Sequence, residues 1–129
     1  MDEIKANEES QEIVKVGIIG CGRVAHRFPT EALVVNGIEV CAAYDILPDV
    51  TEHFQKEYEF IHACTSAEDL YKQVDAVYIA TPHLSHYEYI KQALEAKKHV
   101  LCETPMVLNG EQAKEMYALA EKQGCILME

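Results

Sequence analysis

An apolar run that breaks into two glycines, VKVGIIGCGRVAHR at residues 14–27, sets the architecture expected of this chain. The pattern predicts a strand, a tight turn and a helix, and Gly20, Gly22 and Ala25 fit the fingerprint GxGxxG/A. Gly20 permits the sharp turn, Gly22 leaves the backbone open to a pyrophosphate, and Ala25 lets the helix pack closely on the sheet. N–H groups at the helix N-terminus then hold the phosphates, so a dinucleotide can bind here without a lysine.

A turn of this kind can also be a packing feature that binds nothing, and the residues in and after it decide between the two. Arg23 and Val24 lie inside the turn and are predicted to contact the cofactor. Asp45 follows the second predicted strand, 23 residues after Gly22, close to the offset of roughly 20 residues at which an acid meets the adenosine ribose. A carboxylate accepts from the ribose 2′-hydroxyl and repels a 2′-phosphate, so NAD is predicted in preference to NADP. The alternative for Asp45 is a cap of the helix that begins near Pro48.

Short apolar segments alternate with amphipathic segments along the chain. The predicted strands are residues 14–19, 38–44, 60–63, 75–80, 99–102 and 125–128. Strands that alternate with helices pair in parallel. The sequence therefore predicts an α/β fold: a Rossmann-type doubly wound parallel sheet of about six strands, in the order 3-2-1-4-5-6, within a single domain.

The helices are predicted from capping residues and from apolar spacing. The first covers residues 22–35 and contains Pro29, which is expected to end or kink it. Two later helices open with capping pairs, Ser66 with Asp69 and Asn109 with Gln112. The apolar faces after strands four and five are predicted to be Leu84, Tyr87, Ile90 and Leu94, and Ala113, Met116, Tyr117 and Ala120.

Residues 81–86, TPHLSH, follow the fourth predicted strand. In a doubly wound sheet, ligands bind beyond the carboxyl ends of the strands, near the switch between strands one and four, so this segment is expected to line the crevice. His83 and His86 have the i, i+3 spacing of a metal pair, but no third ligand follows them closely. A helical turn with partly exposed imidazoles is the favoured interpretation, and no metal site is predicted.

The formal charge of −11 limits the partners of this chain. Nucleic acids and anionic membranes are bound through an excess of lysine and arginine, so neither partner is expected. The five cysteines include no CxxC pair; they predict neither a disulfide framework nor a zinc knuckle and fit a reducing cytoplasm. Residues 1–12 hold five acids and one lysine and are expected to form a mobile acidic tail, which leaves residues 13–129 as the folded domain.

Three segments carry a more specific resemblance: VGIIGCGRVA, AAYD and DAVYIATPHLSHYEYIKQALEAKKHVLCETP. From about Ile13 to the last residue, the sequence resembles the N-terminal domain of the glucose-fructose oxidoreductase and inositol dehydrogenase family (Gfo/Idh/MocA). The resemblance implies a domain that binds NAD or NADP for hydride transfer to or from sugars, cyclitols and related compounds. It covers only the first half of a family member, so the family's substrate domain is expected to be absent, and a small-molecule substrate is expected only together with it.

The resemblance also implies site residues. Besides the phosphate turn and the ribose acid, it implies cofactor contacts at Thr81, Pro82, His83, His86, Glu103 and Thr104. His83 stands where the family usually has asparagine. Glu103 and Pro105 match the family's Glu-Lys-Pro motif, but Thr104 replaces the lysine that orients the substrate hydroxyl and assists its proton transfer. No catalytic residue is therefore assigned.

The sequence leaves three functions open. The favoured one is the NAD-binding domain of a Gfo/Idh/MocA-like oxidoreductase, which alone is not catalytically competent. The second is a non-catalytic NAD-binding module for sensing or assembly, which Thr104 favours. The third is a Rossmann domain for another ligand, such as a nucleotide-bound methyl donor, which the sequence after strand four disfavours. An edge strand and uncovered apolar groups also predict a homo-oligomer.

Overall fold

The computed structural model describes residues 13–106 and 109–129, and the predicted acidic tail, residues 1–12, lies outside the described residues. The strands are β1 (Val14–Ile19), β2 (Ile38–Tyr44), β3 (His62–Ala63), β4 (Ala76–Ile79), β5 (His99–Cys102) and β6 (Leu127–Met128). The α-helices are α1 (Arg27–Ala32), α2 (Pro48–Glu57), α3 (Ala67–Gln73), α4 (His86–Glu95) and α5 (Gly110–Gln123). Short 3₁₀ turns precede α1 at Val24–His26 and α4 at His83–Ser85.

The six strands form one parallel sheet in the order β3-β2-β1-β4-β5-β6, which confirms the predicted α/β doubly wound fold. β1 lies at the centre, where Ile19 pairs with Tyr44 of β2 on one side and with Ile79 of β4 on the other. Strands β1 to β3 are added toward one edge of the sheet and β4 to β6 toward the other, so the strand order reverses between β1 and β4. Because the strands are parallel, the carboxyl ends of β1, β2, β4 and β5 lie along one edge, and in folds of this type ligands bind at this edge beside the switch between β1 and β4.

Helices cover the two faces of the sheet through separate apolar clusters. On one face, α3, α4 and α5 bury Leu70, Leu94 and Met116 against β1, β4 and β5. On the other face, α1 and α2 bury Ala32 and Phe54 against β1 and β2. The central strand is thus apolar on both sides, which explains why its sequence reads as an unbroken apolar run.

The face that carries α1 and α2 leaves part of the sheet uncovered. An apolar concavity of ≈ 470 Å³ extends from the first residues of β1 and β2 across β4 and β5 to β6. Leu101 is 38% exposed there, Ile126 60% and Met128 57%. We call this surface the apolar face and define it by Val14, Ile38, Leu101, Ile126 and Met128.

No helix within the described residues is both long and apolar enough to cross a bilayer.

The first helix differs from the prediction over residues 22–35. A 3₁₀ turn, Val24–His26, precedes the α-helix, which covers only Arg27–Ala32. Pro29 is buried and occupies the third position of this helix, where a backbone N–H has no intrahelical acceptor to lose. The expectation that Pro29 would end or kink the helix is therefore wrong, because the helix begins only two residues before it.

Two predicted core residues are exposed. Leu84 lies in the 3₁₀ turn before α4, and the change of helical period there turns it outward and brings His86 into the core. Tyr117 is also exposed, because α5 buries only a narrow stripe that contains Met116 and Ala120. Other expectations are confirmed: Ser66 and Asn109 cap α3 and α5, and Gly124 ends α5 with φ +69°.

Candidate functional site

The glycine turn after β1 is fixed against the end of β4. Gly20 has φ +95°, and a Cβ on it would lie 2.7 Å from the backbone of Ala80 and Thr81. Both the dihedral angle and the close approach require glycine. The Gly20 N–H also donates to the carbonyl oxygen of Tyr44 at 2.8 Å, so the turn joins the ends of three strands.

The rest of the turn is open on its outer side. A Cβ on Gly22 would meet no atom within 4 Å, and Gly22, Arg23 and Val24 are all exposed. Ala25, by contrast, is completely buried against the sheet, as the fingerprint predicts. The following α-helix has only six residues, so phosphate binding here would depend on the backbone N–H groups of the turn more than on a long helix dipole.

Asp45 at the end of β2 reaches across to the glycine turn. Its Oδ2 accepts from the Cys21 N–H at 2.9 Å, and its Oδ1 accepts from the Leu47 N–H at 2.9 Å. The N-cap residue of α2 is Leu47, and no side chain caps the free N–H groups of this helix. Because Asp45 accepts from Leu47 itself and from the glycine turn, Asp45 is not simply the cap of α2. Each carboxylate oxygen has a second lone pair, so the half-exposed Asp45 can still accept from ribose hydroxyls.

Thr51, which the sequence analysis missed, fixes the backbone of Asp45. It is buried in the first turns of α2, where its Oγ1 accepts from the Asp45 N–H at 3.0 Å and lies 3.2 Å from the Asp45 carbonyl oxygen. A threonine beside Val50 and Phe54 on the apolar face of α2 is the signal that could have identified it. The end of β2 is therefore fixed through both the side chain and the main chain of Asp45.

A cleft of ≈ 280 Å³ lies between the ends of β2 and β3. We call it the β2–β3 cleft; its lining residues are Tyr44, Asp45, Ile46, Pro48, Thr51, Glu52, Gln55, Ala63, Cys64 and Thr65. These described residues include two acids and no lysine or arginine. Such a lining favours a neutral, hydroxyl-bearing ligand over a phosphorylated one.

Cys21 lies inside the glycine turn, directly beneath Asp45. Burial, followed by the negative charge of Asp45, raises the pKa of the Cys21 thiol from 9.0 to about 12. Its thiol is 2% exposed, so it acts as a small apolar residue below the turn and not as a nucleophile.

The segment after β4 contains a buried histidine. His86 is 2% exposed, and its two ring nitrogens lie 2.7 Å from the Thr81 carbonyl oxygen and 2.9 Å from that of Pro105. The prediction of a partly exposed imidazole is therefore wrong for His86, although His83 is exposed. Because both nitrogens of His86 face carbonyl oxygens, His86 cannot pair with His83 as a metal ligand.

His86 links the two segments that follow β4 and β5. The Thr81 hydroxyl is held in turn by Ser85 Oγ, which lies 2.7 Å from Thr81 Oγ1 and from the carbonyl oxygen of Pro82. Thr104 and Pro105 are exposed on the other segment. The structure thus brings residues 81–86 and 103–105 together at the carboxyl edge of the sheet.

Glu103 points to the opposite face of the sheet. Its carboxylate accepts from the Tyr78 hydroxyl, and Tyr78 stacks on Phe28 with ring centroids 4.4 Å apart. Burial, followed by the hydrogen bond to Glu103 and its charge, raises the pKa of Tyr78. These residues line a second cleft of ≈ 300 Å³, the β4–β5 cleft, together with Val24, Arg27, Glu31 and Leu101.

A central glycine turn, an acid at the end of the neighbouring strand and a parallel sheet whose strand order reverses beside them define a Rossmann-type dinucleotide-binding domain. The model of the family described as "Oxidoreductase family, NAD-binding Rossmann fold" matches residues 14–129. The chain belongs to this family, Gfo/Idh/MocA, and forms its NAD-binding domain.

Similar proteins act on sugars. The chain is 36% identical to dTDP-3,4-didehydro-2,6-dideoxy-alpha-D-glucose 3-reductase of Actinomadura kijaniata, over 95% of this chain and 38% of the relative. It is 33% identical to glucose-6-phosphate 3-dehydrogenase of Bacillus subtilis, over 84% of this chain and 31% of the relative. The chain thus spans about a third of the length of these relatives.

Solved structures give the same picture. The crystal structure of KijD10, a 3-ketoreductase from Actinomadura kijaniata in complex with NADP and TDP-benzene, superposes with a TM-score of 0.83 at 34% identity. The match covers 92% of this chain and 37% of that one. An NAD-binding protein from Listeria innocua superposes with a TM-score of 0.85 at 31% identity, over 91% of this chain and 35% of that one.

Proposed function

We propose that this chain binds NAD at the carboxyl edge of its sheet, as the cofactor domain of an oxidoreductase that transfers hydride to or from a sugar, a cyclitol or a related compound. The observation that carries the proposal is the contact between Asp45 and the Cys21 N–H. The contact supports the proposal because it joins Asp45, the proposed ribose acid, to a residue next to the open backbone at Gly22, and an adenosine diphosphate group needs both within reach. The sugar-linked relatives support the substrate class.

Each part of the cofactor has its proposed contacts. The pyrophosphate lies on the turn formed by Gly20, Gly22, Arg23, Val24 and Ala25, and the adenosine ribose lies on Asp45 in the β2–β3 cleft. The nicotinamide half passes the ends of β4 and β5, at Thr81, Pro82, His83, His86 and Thr104. Glu103, which the resemblance also implies as a contact, is turned toward Tyr78 in the β4–β5 cleft and is left out of this arrangement. In this arrangement His86 acts by positioning Thr81 and Pro105, because both of its ring nitrogens lie against their carbonyl oxygens and neither faces the cofactor.

NAD is proposed over NADP. A ribose 2′-phosphate would enter the β2–β3 cleft beside Asp45 and Glu52, where no lining residue is a lysine or arginine. The 3-ketoreductase from Actinomadura kijaniata is seen with NADP, so preference varies among similar proteins. For this chain, the charges of the cleft decide the preference.

We propose that the 129-residue chain alone does not turn over a substrate. The match spans only 38% and 31% of the two relatives that act on sugars, and Thr104 offers neither charge nor proton transfer near neutral pH where the resemblance implies a lysine. The same exposed Thr104 supports the second candidate, a non-catalytic NAD-binding module for sensing or assembly. The presence of hydride transfer in the full-length gene product separates these two functions.

We also propose that the chain self-associates in the cytoplasm. The apolar face leaves Ile126 and Met128 more than half exposed at the edge of the sheet, a surface that a second copy can cover. All five cysteines are free thiols, which supports a reducing compartment.

Calorimetric titration with NADH tests the cofactor site. Gly22→Val is expected to abolish binding with little effect on stability, because the new side chain meets no protein atom and fills the proposed pyrophosphate position. Gly110→Val is the matched control, since Gly110 is equally open and lies outside the proposed contacts. Equal NADH affinity in Gly22→Val and the unmodified chain would refute the assignment.

A further inference from the structure

Three side chains with metal-binding atoms meet at the outer end of the sheet. His62 belongs to β3, Cys64 follows that strand, and Asp69 lies in the first turn of α3. One ligand atom from each residue, a ring nitrogen, the Sγ and a carboxylate oxygen, lies within 4.8 Å of the other two. None of these residues belongs to the proposed nicotinamide or pyrophosphate contacts.

The local fold explains why these side chains converge. His62 and Cys64 are two residues apart on an extended segment, so their side chains point to the same side. The chain then turns at Ser66, whose Oγ accepts from the Asp69 N–H at 3.0 Å. This cap fixes the first turn of α3 above the end of β3 and brings the Asp69 carboxylate to the Cys64 thiol.

The distances suit a tetrahedral ion after a small adjustment. Zinc bonds of about 2.0–2.3 Å place neighbouring ligand atoms roughly 3.3–3.8 Å apart. The three atoms are within 4.8 Å here, so a closure of about 1 Å is sufficient. His62 is exposed and Asp69 is half-exposed, so both can rotate, while Cys64 stays fixed in the core.

The electrostatics of the cluster also favour a dication. Cys64 is only 4% exposed, and its Sγ lies within 4.8 Å of an Asp69 carboxylate oxygen. A thiolate and a carboxylate this close repel each other, and a metal ion that replaces the thiol proton removes the repulsion. Besides Asp69, the Cys64 Sγ accepts from the Gln73 side-chain N–H at 3.6 Å and lies 3.9 Å from the His62 carbonyl oxygen, and both are weak contacts that a metal can displace.

We propose that His62, Cys64 and Asp69 form a binding site for a zinc-like divalent transition metal, with water at the fourth position. The nitrogen, sulfur and oxygen donors match the borderline character of Zn²⁺ and disfavour Mg²⁺ and Ca²⁺, which prefer oxygen alone. The site extends the function beyond NAD binding, and Cys64 also lines the β2–β3 cleft.

Titration of the reduced, full 129-residue chain with Co²⁺ tests this site, because a thiolate-to-cobalt charge-transfer band reports a Co–S bond directly. The unmodified chain is expected to develop the band with one equivalent of Co²⁺, and Zn²⁺ is expected to abolish it. Cys64→Ser is expected to lose the band. His62→Gln, at an exposed position that leaves the core intact, is expected to weaken Co²⁺ binding by at least about tenfold.

Matched controls come from residues outside the cluster. Cys125→Ser removes a half-buried thiol and His53→Gln removes an exposed imidazole, and both are expected to leave the band and its midpoint unchanged. A chain that shows no band at several equivalents of Co²⁺ would overturn the proposal. So would a band that persists in Cys64→Ser, or a midpoint that His53→Gln shifts as much as His62→Gln.

Discussion

Replacing Asp45 by serine is expected to alter both the stability of the domain and its choice of cofactor. The carboxylate accepts from the Cys21 and Leu47 N–H groups, each at 2.9 Å. A serine hydroxyl is shorter and cannot reach both donors. The change therefore loosens the glycine turn from the end of β2 and removes the acid proposed to bind the ribose.

The magnitudes follow from these contacts. A hydrogen bond to a charged group contributes about 1.5–3 kcal/mol, and the half-exposed position of Asp45 favours the lower end. We expect a loss of about 1–2 kcal/mol in the free energy of unfolding and of about tenfold in NADH affinity. The repulsion of a 2′-phosphate, roughly 1–4 kcal/mol at close range, also disappears, so NADPH affinity should rise by about tenfold or more.

Urea unfolding and parallel titrations with NADH and NADPH measure these effects. Asp49→Ser is the matched control, because it removes an exposed acid of the same charge from the first turn of α2. The control should leave the preference for NADH unchanged. The account of Asp45 fails if the unmodified chain binds NADPH as tightly as NADH, or if Asp45→Ser and Asp49→Ser change the preference equally.

Three further predictions concern association, catalysis and pH. Leu101→Glu, on the apolar face, is expected to convert the self-associated chain to a monomer, as measured by light scattering. The control Leu33→Glu, at an exposed position outside that face, should leave the association unchanged. An unmodified chain that is monomeric at high concentration would contradict this prediction. Thr104→Lys is expected to give no NADH formation from sugars or polyols in the 129-residue chain, because substrate orientation worth up to about 7–11 kcal/mol is still missing; turnover by the unmodified chain would refute the argument. The free energy of unfolding should fall as pH rises from 9 toward about 12, because the buried Cys21 thiol resists ionisation that the unfolded chain allows. In the Cys21→Ala variant, the free energy of unfolding should fall by roughly 2–4 kcal/mol less over this pH range than in the unmodified chain, as measured by urea unfolding at each pH. If the two chains have identical pH profiles, Cys21 is not a cause of the loss.

The sequence predicts the central strands well because two signals agree there: the apolar run of the strand and the glycine or polar residue that ends it. β1, β2 and β5 have the predicted bounds, since each is an apolar run that ends at a glycine or a polar residue. β3 and β6 are shorter than predicted and contain two residues each, because an edge strand pairs on one side only. Apolar character continues beyond the last paired residue, so it cannot define the end of an edge strand.

The site is less predictable where contacts join distant segments. Nothing local in the sequence places the Pro105 carbonyl oxygen beside His86, so the imidazole was expected to be partly exposed. The pairing of Tyr78 with Glu103 likewise crosses between two strands. The metal-binding cluster escapes pattern analysis for the same reason, because its ligands come from a strand, a loop and a helix with different periods.

A crystal structure of the chain with NADH tests the central claim most directly. The account predicts the pyrophosphate on the backbone of Gly20–Ala25, the adenosine ribose hydroxyls within hydrogen-bonding distance of Asp45, and the adenine in the β2–β3 cleft. It also predicts the nicotinamide beside residues 81–86. NADH bound in the β4–β5 cleft, or an adenosine ribose without a contact to Asp45, would contradict the account.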